Sequence, residues 1–145
     1  MKPSDEDARL KLVPEWFFKV DHDKDAAEAL LVREPPLLFA SCFHAQQAAE
    51  KRLKALLTWW EIEPPKTHNI GQLLRLAASR DAPFAESLLN AVALNPYAVV
   101  SRYPGDQPEP SRQEAQQAIG AACAVRAAVL GVLPARFGPS AAERT

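Results

Sequence analysis

The chain has 145 residues and a formal net charge of −1 at pH 7. A chain of this length is expected to fold as one domain that buries about two-thirds of its unfolded surface. Because the charges nearly cancel, no long-range field draws the whole molecule toward nucleic acid or an anionic membrane. We find no apolar run near the roughly 20 residues of a membrane span and no signal peptide. Cys42 and Cys123 are predicted to be free, buried thiols, which favours a reducing compartment and a cytoplasmic protein.

The first predicted helix runs from about Pro14 to Val32, after a charged N-terminal tail at residues 1–13. Pro14 is tolerable in a first turn. Asp23 points the same way as Val20 and Ala27, so one carboxylate lies on the apolar stripe of this helix.

The second predicted helix, Phe39 to Trp60, contains no Pro or Gly and is apolar over more than one face. It is therefore predicted to be the central helix. Its polar stripe consists of His44, Gln47, Lys51 and Lys54, while Gln46 falls inside the apolar stripe. Glu50 and Lys54 are interpreted as an exposed i,i+4 pair.

The remaining predicted elements complete an all-α fold. In chain order they are a helix at about 68–79 capped by Thr67, a helix at about 83–94 capped by Asp81, a long irregular connection at 95–110, a last helix from the Ser111 capping box to Leu133, and a disordered tail at 134–145. The pattern predicts an up-and-down antiparallel bundle of four main helices plus a short one.

The common catalytic motifs are absent. No glycine-rich phosphate loop, HExxH, paired-Cys motif or nucleophile elbow occurs. The three histidines, at 22, 44 and 68, have no spacing that suggests a metal site. We therefore predict no metal and no cofactor.

Asp23 is the residue that most needs a partner, because burying a lone carboxylate costs several kcal/mol. Lys51, His44 and Arg102 are the available partners. One interpretation is a satisfied buried network that fixes helix register. The other is a polar cleft for a nucleotide or RNA phosphate, with Lys51 and Arg102 as phosphate ligands. Arg102 and Tyr103 stand together in a proline-rich segment that could present both side chains.

The segment CFHAQQAAEKRLKALL, with WFFKVDHDKDAAEALL before it and THNIGQLL and SRYPGD after it, resembles the HEPN family (higher eukaryotes and prokaryotes nucleotide-binding) over about residues 14–133. Asp23 matches the acidic position of the family's first helix. His44, Gln47, Glu50 and Lys51 match its second-helix pattern. The resemblance implies a bundle of four main helices plus a short one, and usually a dimer.

The resemblance also separates two functional classes. Many family members are metal-independent ribonucleases, often toxins, that act through an Arg-x4-6-His motif. Others are noncatalytic, and many of the family are encoded beside a minimal nucleotidyltransferase partner. In this chain no His follows an Arg at that spacing.

The resulting hypothesis is a noncatalytic homodimer that forms part of a toxin–antitoxin or nucleotidyltransferase pair. It would bind a nucleotide, an RNA phosphate or a nucleotidyltransferase through Asp23, His44, Gln47, Lys51, Arg102 and Tyr103. One alternative is a divergent ribonuclease that uses Arg102 for phosphate and His44 as base. The other is a structural dimerisation or adapter module.

Overall fold

The computed structural model describes residues 5–99 and 108–137, which form helices and no strand. The α-helices are α1 (Asp5–Val32), α2 (Leu38–Trp59), α3 (Ile70–Ala78), α4 (Ala82–Ser87) and α5 (Arg112–Val132). Two 3-10 segments, Leu89–Ala98 and Ala135–Phe137, follow α4 and α5. The all-α helical bundle predicted from the sequence is confirmed.

α2 is the centre of the bundle, as predicted. It packs on α1, α3, α5 and the 3-10 segment Leu89–Ala98. Leu53, Leu56 and Leu57 are almost fully buried and contribute its largest apolar side chains to the core. Burial of side chains of this size stabilises the fold by about 1.5–3 kcal/mol each. Small residues such as Ala45 and Ala49 let neighbouring helices come close to the same helix.

α1 and α2 run antiparallel and are joined along their length. Near one end the Ser41 hydroxyl donates to the Ala27 carbonyl oxygen (2.7 Å). Near the other end the Arg9 guanidinium donates to the Trp59 carbonyl oxygen (2.7 Å) and lies over the Trp59 ring. These contacts fix which α1 side chains face the polar side of α2.

The start of α1 differs from the prediction. Helix begins at Asp5 rather than Pro14, and Pro14 lies inside it on the exposed side. A proline inside a helix removes one helical hydrogen bond, which is why Pro14 was interpreted as a first-turn residue. The extra turns are held by packing, since Val13 is fully buried and Arg9 is bound to α2.

Two of the three predicted caps are confirmed. The Asp81 side chain accepts from Phe84 N, and Ser111 and Glu114 form the predicted capping box of α5. The α3 cap is Asn69, whose side chain accepts from Gln72 N (3.2 Å), so the choice of Thr67 was wrong. The Thr67 hydroxyl instead accepts from the backbone N–H of Asn69 (3.1 Å), the residue directly before α3.

The end of the bundle also differs from the prediction. The predicted fourth helix divides into α4 and the 3-10 segment Leu89–Ala98, which extends into the region interpreted as irregular. After α5, residues 135–137 form a 3-10 turn in which Phe137 packs edge-on against Phe17 and Trp59, and residues 138–145 of the predicted tail lie outside the described residues. Trp60 packs edge-on against Phe84 at the same end of the bundle.

Both cysteines are free and Cys42 is buried, as predicted, whereas Cys123 is partly exposed rather than buried. Of the described helices, α5 is long and apolar enough to span a membrane by length and composition. Core helices of bundles also meet that criterion, and α5 packs extensively on α2.

Candidate functional site

Six polar residues of α2 lie within one sector of the helix surface, which we call the polar seam. With successive residues about 100° apart, they cover about 160° of the helix surface. In order around the helix they are Gln46, Glu50, Lys54, Gln47, Lys51 and His44. At its two sides the seam carries two separate clusters, each built around one buried carboxylate.

The first is the Asp23 cluster, made of Asp23 from α1 with His44 and Lys51 from α2. The Asp23 carboxylate is buried and binds both partners: Oδ1 lies 2.9 Å from His44 Nδ1, and Oδ2 accepts from Lys51 Nζ at 2.6 Å. This agrees with the sequence argument that Asp23 needs Lys51 or His44 as a partner. One charged hydrogen bond contributes about 1.5–3 kcal/mol when both groups are well placed.

Both partners of Asp23 keep part of their surface in water. The His44 side chain is 32% exposed and the Lys51 side chain is 26% exposed. An ammonium has three N–H donors, and Asp23 takes one of those on Lys51. With His44 Nδ1 directed at Asp23, Nε2 is the ring nitrogen left for another group. The cluster therefore holds two oriented side chains that still have hydrogen-bonding capacity.

The second is the Glu50 cluster, made of Glu50, Gln46 and Lys54 with His68 from the segment before α3. Glu50 Oε1 lies 2.7 Å from His68 Nδ1, and Oε2 accepts from Lys54 Nζ at 3.2 Å. The Gln46 amide donates to Glu50 Oε1 (3.3 Å) and to the His68 carbonyl oxygen (3.2 Å). Gln46, the polar residue on the apolar stripe, thus connects the segment before α3 to α2.

The interpretation of Glu50 and Lys54 as an exposed pair was wrong. Their side chains are only 5% and 12% exposed. A helix by itself would leave both in water, but the segment before α3 folds back and binds Glu50 through His68. The burial comes from a contact between residues 18 positions apart, which helix periodicity does not register.

Three further residues were predicted to belong to the site: Gln47, Arg102 and Tyr103. Gln47 lies between the clusters, half-buried, and donates to Gln46 Oε1 (2.7 Å). Its own contact is to the Glu50 cluster, through Gln46. Arg102 and Tyr103 lie outside the described residues. The structure therefore brings Asp23, His44 and Lys51 together and places Gln47 beside them.

Sequence reasoning assigned a role to neither His68 nor Arg52. His68 binds Glu50. The sequence feature that could have identified it is its place in THNIGQLL, one of the segments that carry the family resemblance. Arg52 is buried, with its guanidinium 3.3 Å from Asp21 Oδ1 and over the Phe17 ring at 5.0 Å. These two contacts hold α1 against α2 just beyond the Asp23 cluster.

Charges on the seam are closely matched. Each carboxylate has one lysine and one histidine as partners. Such pairing compensates the desolvation of a buried carboxylate, which alone would cost several kcal/mol. Within the described ranges no group of three potential metal-ligating side chains comes together.

Cys42 lies on the core side of α2, where its thiol has low reactivity. Burial raises the pKa of the Cys42 thiol to about 11, and the Glu114 carboxylate acts in the same direction. A hydrogen bond with Tyr97 lowers that pKa in part. Burial likewise raises the pKa of Tyr97. Since the thiolate is the reactive form, Cys42 is a packing residue rather than a nucleophile.

A cleft of about 610 Å³ opens beside the seam, between the first half of α1 and the chain that follows α2. Leu12, Trp16 and Ile62 contribute much of its apolar lining. Glu61 adopts a left-handed backbone conformation (φ 63°) where α2 ends, and Ile62 N donates back to the Leu57 carbonyl oxygen (2.8 Å). This turn directs residues 61–64 along the side of α1, where they form one wall of the cleft.

An all-helical bundle is the fold that the HEPN resemblance implied. The family model described as HEPN domain matches residues 13–132. The chain therefore belongs to the HEPN family. Neither the curated proteins nor the solved structures compared with it contain a match.

Proposed function

We propose that this HEPN protein is a noncatalytic binding module that takes the phosphate of a nucleotide or RNA at the Asp23 cluster. The observation that carries the proposal is that one buried carboxylate orients both Lys51 and His44, while about a quarter to a third of each side chain stays exposed. An ammonium held in place loses less side-chain entropy when it binds a ligand than a free one does.

The hydrogen-bonding capacity of the cluster suits a phosphate. Among the described residues Asp23 takes one donor of Lys51, which leaves two. His44 Nε2 lies on the same side of α2 and donates to a phosphate oxygen when the imidazole is protonated, and Gln47 lies between the two clusters. Because Asp23 offsets one positive charge, binding depends on directed hydrogen bonds rather than on a strong field.

The absence of an Arg-x4-6-His motif in the sequence supports binding over cleavage. A metal-independent ribonuclease needs a positioned acid or base, and the family's usual histidine is missing. This separates the proposal from the toxin class of the same family.

Calorimetric titration of the whole protein with ATP, GTP and a short RNA tests this proposal. Binding by the wild type, weakened by Lys51→Ala and by Arg102→Ala without loss of helicity, supports it. If the wild type binds none of the three ligands, the phosphate-binding function is wrong.

A second candidate function is a divergent ribonuclease with His44 as general base. The Asp23 carboxylate on His44 Nδ1 favours it, since a carboxylate in that position fixes the imidazole tautomer and leaves Nε2 to accept a proton. Incubation of the purified protein with total RNA distinguishes the two functions. Cleavage that His44→Gln removes would establish this candidate, and intact RNA after prolonged incubation would eliminate it.

The proposed partners are a second copy of the chain and a minimal nucleotidyltransferase, which would place the protein in a toxin–antitoxin or related pair. Membership of the HEPN family supports both, through the pairings that the resemblance implied. Light scattering gives the oligomeric state, and co-purification with an adjacent nucleotidyltransferase gene product tests the pair. In a purely structural module, Asp23→Asn would lower stability and leave partner binding unchanged.

A further inference from the structure

We propose that the cleft between α1 and the chain after α2 binds a nucleobase, with a preference for guanine. This rests on the proposed function, because the base would belong to the same nucleotide whose phosphate the Asp23 cluster takes. The cleft is a distinct feature, and four observations about it carry the inference.

The first observation is size and lining. A volume of about 610 Å³ lies within the usual range of small-molecule sites, about 300–1,000 Å³. Trp16 lines it and is partly exposed, so its ring has a face available to a ligand. Leu12 and Ile62 supply apolar surface beside it. An aromatic ring next to apolar side chains is the usual platform for stacking a base.

The second observation is continuity with the Asp23 cluster. Trp16, Lys19 and Asp23 recur on α1 at spacings of three and four residues, so they share one face. From Asp23 to Trp16 the distance along the helix axis is about 10 Å. That separation suits a nucleoside monophosphate lying along the α1–α2 groove, with its phosphate at Lys51 and its base at Trp16.

The third observation concerns Lys19, which lines the cleft one helical turn from Asp23. Within residues 5–99 and 108–137, Lys19 has neither an ion-pair nor a hydrogen-bond partner. It lies between Trp16 and the Asp23 cluster along the helix. Lys19 can therefore add a second ammonium to the phosphate or to the ribose oxygens.

The fourth observation is the carboxylates of the rim. Glu15 and Glu63 line the cleft, are exposed and have no partner among the described residues, whereas Glu61 pairs with Arg9 (3.5 Å). An ionised carboxylate accepts hydrogen bonds and donates none. Guanine offers adjacent N–H donors on its pairing edge, while uracil flanks its one N–H with carbonyl oxygens. The rim therefore favours guanine and disfavours uracil.

Calorimetric titration of the whole protein with guanosine, uridine, GMP and inorganic phosphate tests the inference. Guanosine has no phosphate, so its binding reports the cleft alone. We expect the wild type to bind guanosine, to bind GMP more tightly, and to bind uridine at least about tenfold more weakly than guanosine. Trp16→Ala should weaken guanosine binding roughly tenfold or more, since stacking contributes about 1–3 kcal/mol.

Three variants keep the test informative. Trp16→Phe retains an aromatic face and should preserve most of the affinity even if Trp16→Ala unfolds. Glu15→Gln combined with Glu63→Gln should bring guanosine and uridine affinities closer together. Leu89→Ala, at an exposed apolar residue away from the cleft, serves as the control and should bind guanosine as the wild type does.

The outcomes separate this inference from the proposed function. If GMP and phosphate bind in a Lys51-dependent manner but guanosine does not, the cleft assignment is overturned and the phosphate site stands. If guanosine binds and GMP binds no more tightly, the cleft assignment stands and the phosphate role fails. If no ligand binds, both are overturned. Equal affinities for uridine and guanosine would overturn the guanine preference.

Discussion

The Asp23 and Glu50 clusters have the same chemistry and different surroundings. Each consists of a buried carboxylate held by one histidine through Nδ1 and by one lysine. In the Asp23 cluster the lysine is 26% exposed and the carboxylate comes from another helix. In the Glu50 cluster the lysine is 12% exposed, and Gln46 occupies a further bonding position on the carboxylate.

This difference suggests a division of roles along one helix. The Asp23 cluster keeps donors at the surface and is therefore suited to a ligand. The Glu50 cluster encloses its lysine, its carboxylate and Gln46, and its histidine, His68, is 64% exposed but is used to hold the segment before α3 against α2. The same residue types thus serve binding at one side of the seam and folding at the other.

The largest expected effect is on stability, from removal of the more enclosed carboxylate. Glu50→Ala removes the acceptor of Lys54 and one of the two acceptors of the fully buried Gln46 amide. We expect the free energy of unfolding to fall by about 3 kcal/mol, as for other broken buried pairs. Urea denaturation measures it, with Glu86→Ala at an exposed position as the control, expected within about 0.5 kcal/mol of wild type. Equal losses for the two variants would contradict the role given to Glu50.

The Cys42 thiol is a third polar group on α2, and its burial favours the neutral form. Its folded pKa of about 11 lies above the ordinary value of 9.0. The folded state therefore retains the thiol proton to higher pH than the unfolded state does. The contribution of the protonated thiol to the free energy of unfolding is fully present below pH 9 and is lost as pH rises through 11. We expect wild type to lose about 2 kcal/mol more than Cys42→Ala across that range.

Urea denaturation at pH 8 and at pH 11, applied to both proteins, measures this difference. Iodoacetamide labelling at pH 8 gives an independent result, with the partly exposed Cys123 labelled before Cys42. Identical pH slopes for wild type and Cys42→Ala would contradict the raised pKa.

Removing the more open carboxylate should cost less. In Asp23→Ala, Lys51 and His44 can turn toward water, so we expect a loss of about 1–2 kcal/mol. Asp25→Ala, two residues along on the exposed side of α1, is the matched control. A loss larger than that of Glu50→Ala would reverse the assignment of roles.

The smallest effect is expected from a salt bridge fully at the surface. Arg112 Nη2 lies 3.3 Å from Glu34 Oε2, and both side chains are exposed. Arg112→Ala should change the free energy of unfolding by less than about 1 kcal/mol, because water screens such pairs. Thermal denaturation measures this change in stability. A loss of stability comparable to that of Asp23→Ala would show that the burial of an ion pair does not determine how much it stabilises the fold.

The sequence could predict the parts of this architecture that depend on local pattern. The uninterrupted run from Phe39 to Trp60, the Asp81 cap and the Ser111 capping box are all present in the structure. Asp23 could also be assigned correctly, because a carboxylate on an apolar stripe must find a cation and few were available.

The features that depend on distant contacts could not be predicted. The Glu50 cluster exists because the chain returns to α2 before α3 begins, and a helical wheel of α2 contains no such information. The early start of α1 depends on Arg9 reaching Trp59, fifty residues away. The cleft depends on the left-handed turn at Glu61, a conformation that a glutamate seldom adopts.

Ligand binding by two matched lysine variants tests the central claim most directly. Lys51→Gln and Lys54→Gln remove the same charge from the same helix, one in each cluster. In calorimetric titration with GMP, Lys51→Gln should weaken binding about tenfold or more, and Lys54→Gln should stay within about twofold of wild type. Equal affinities in the two variants, or a larger loss in Lys54→Gln, would contradict the claim that the Asp23 cluster is the binding side of the seam.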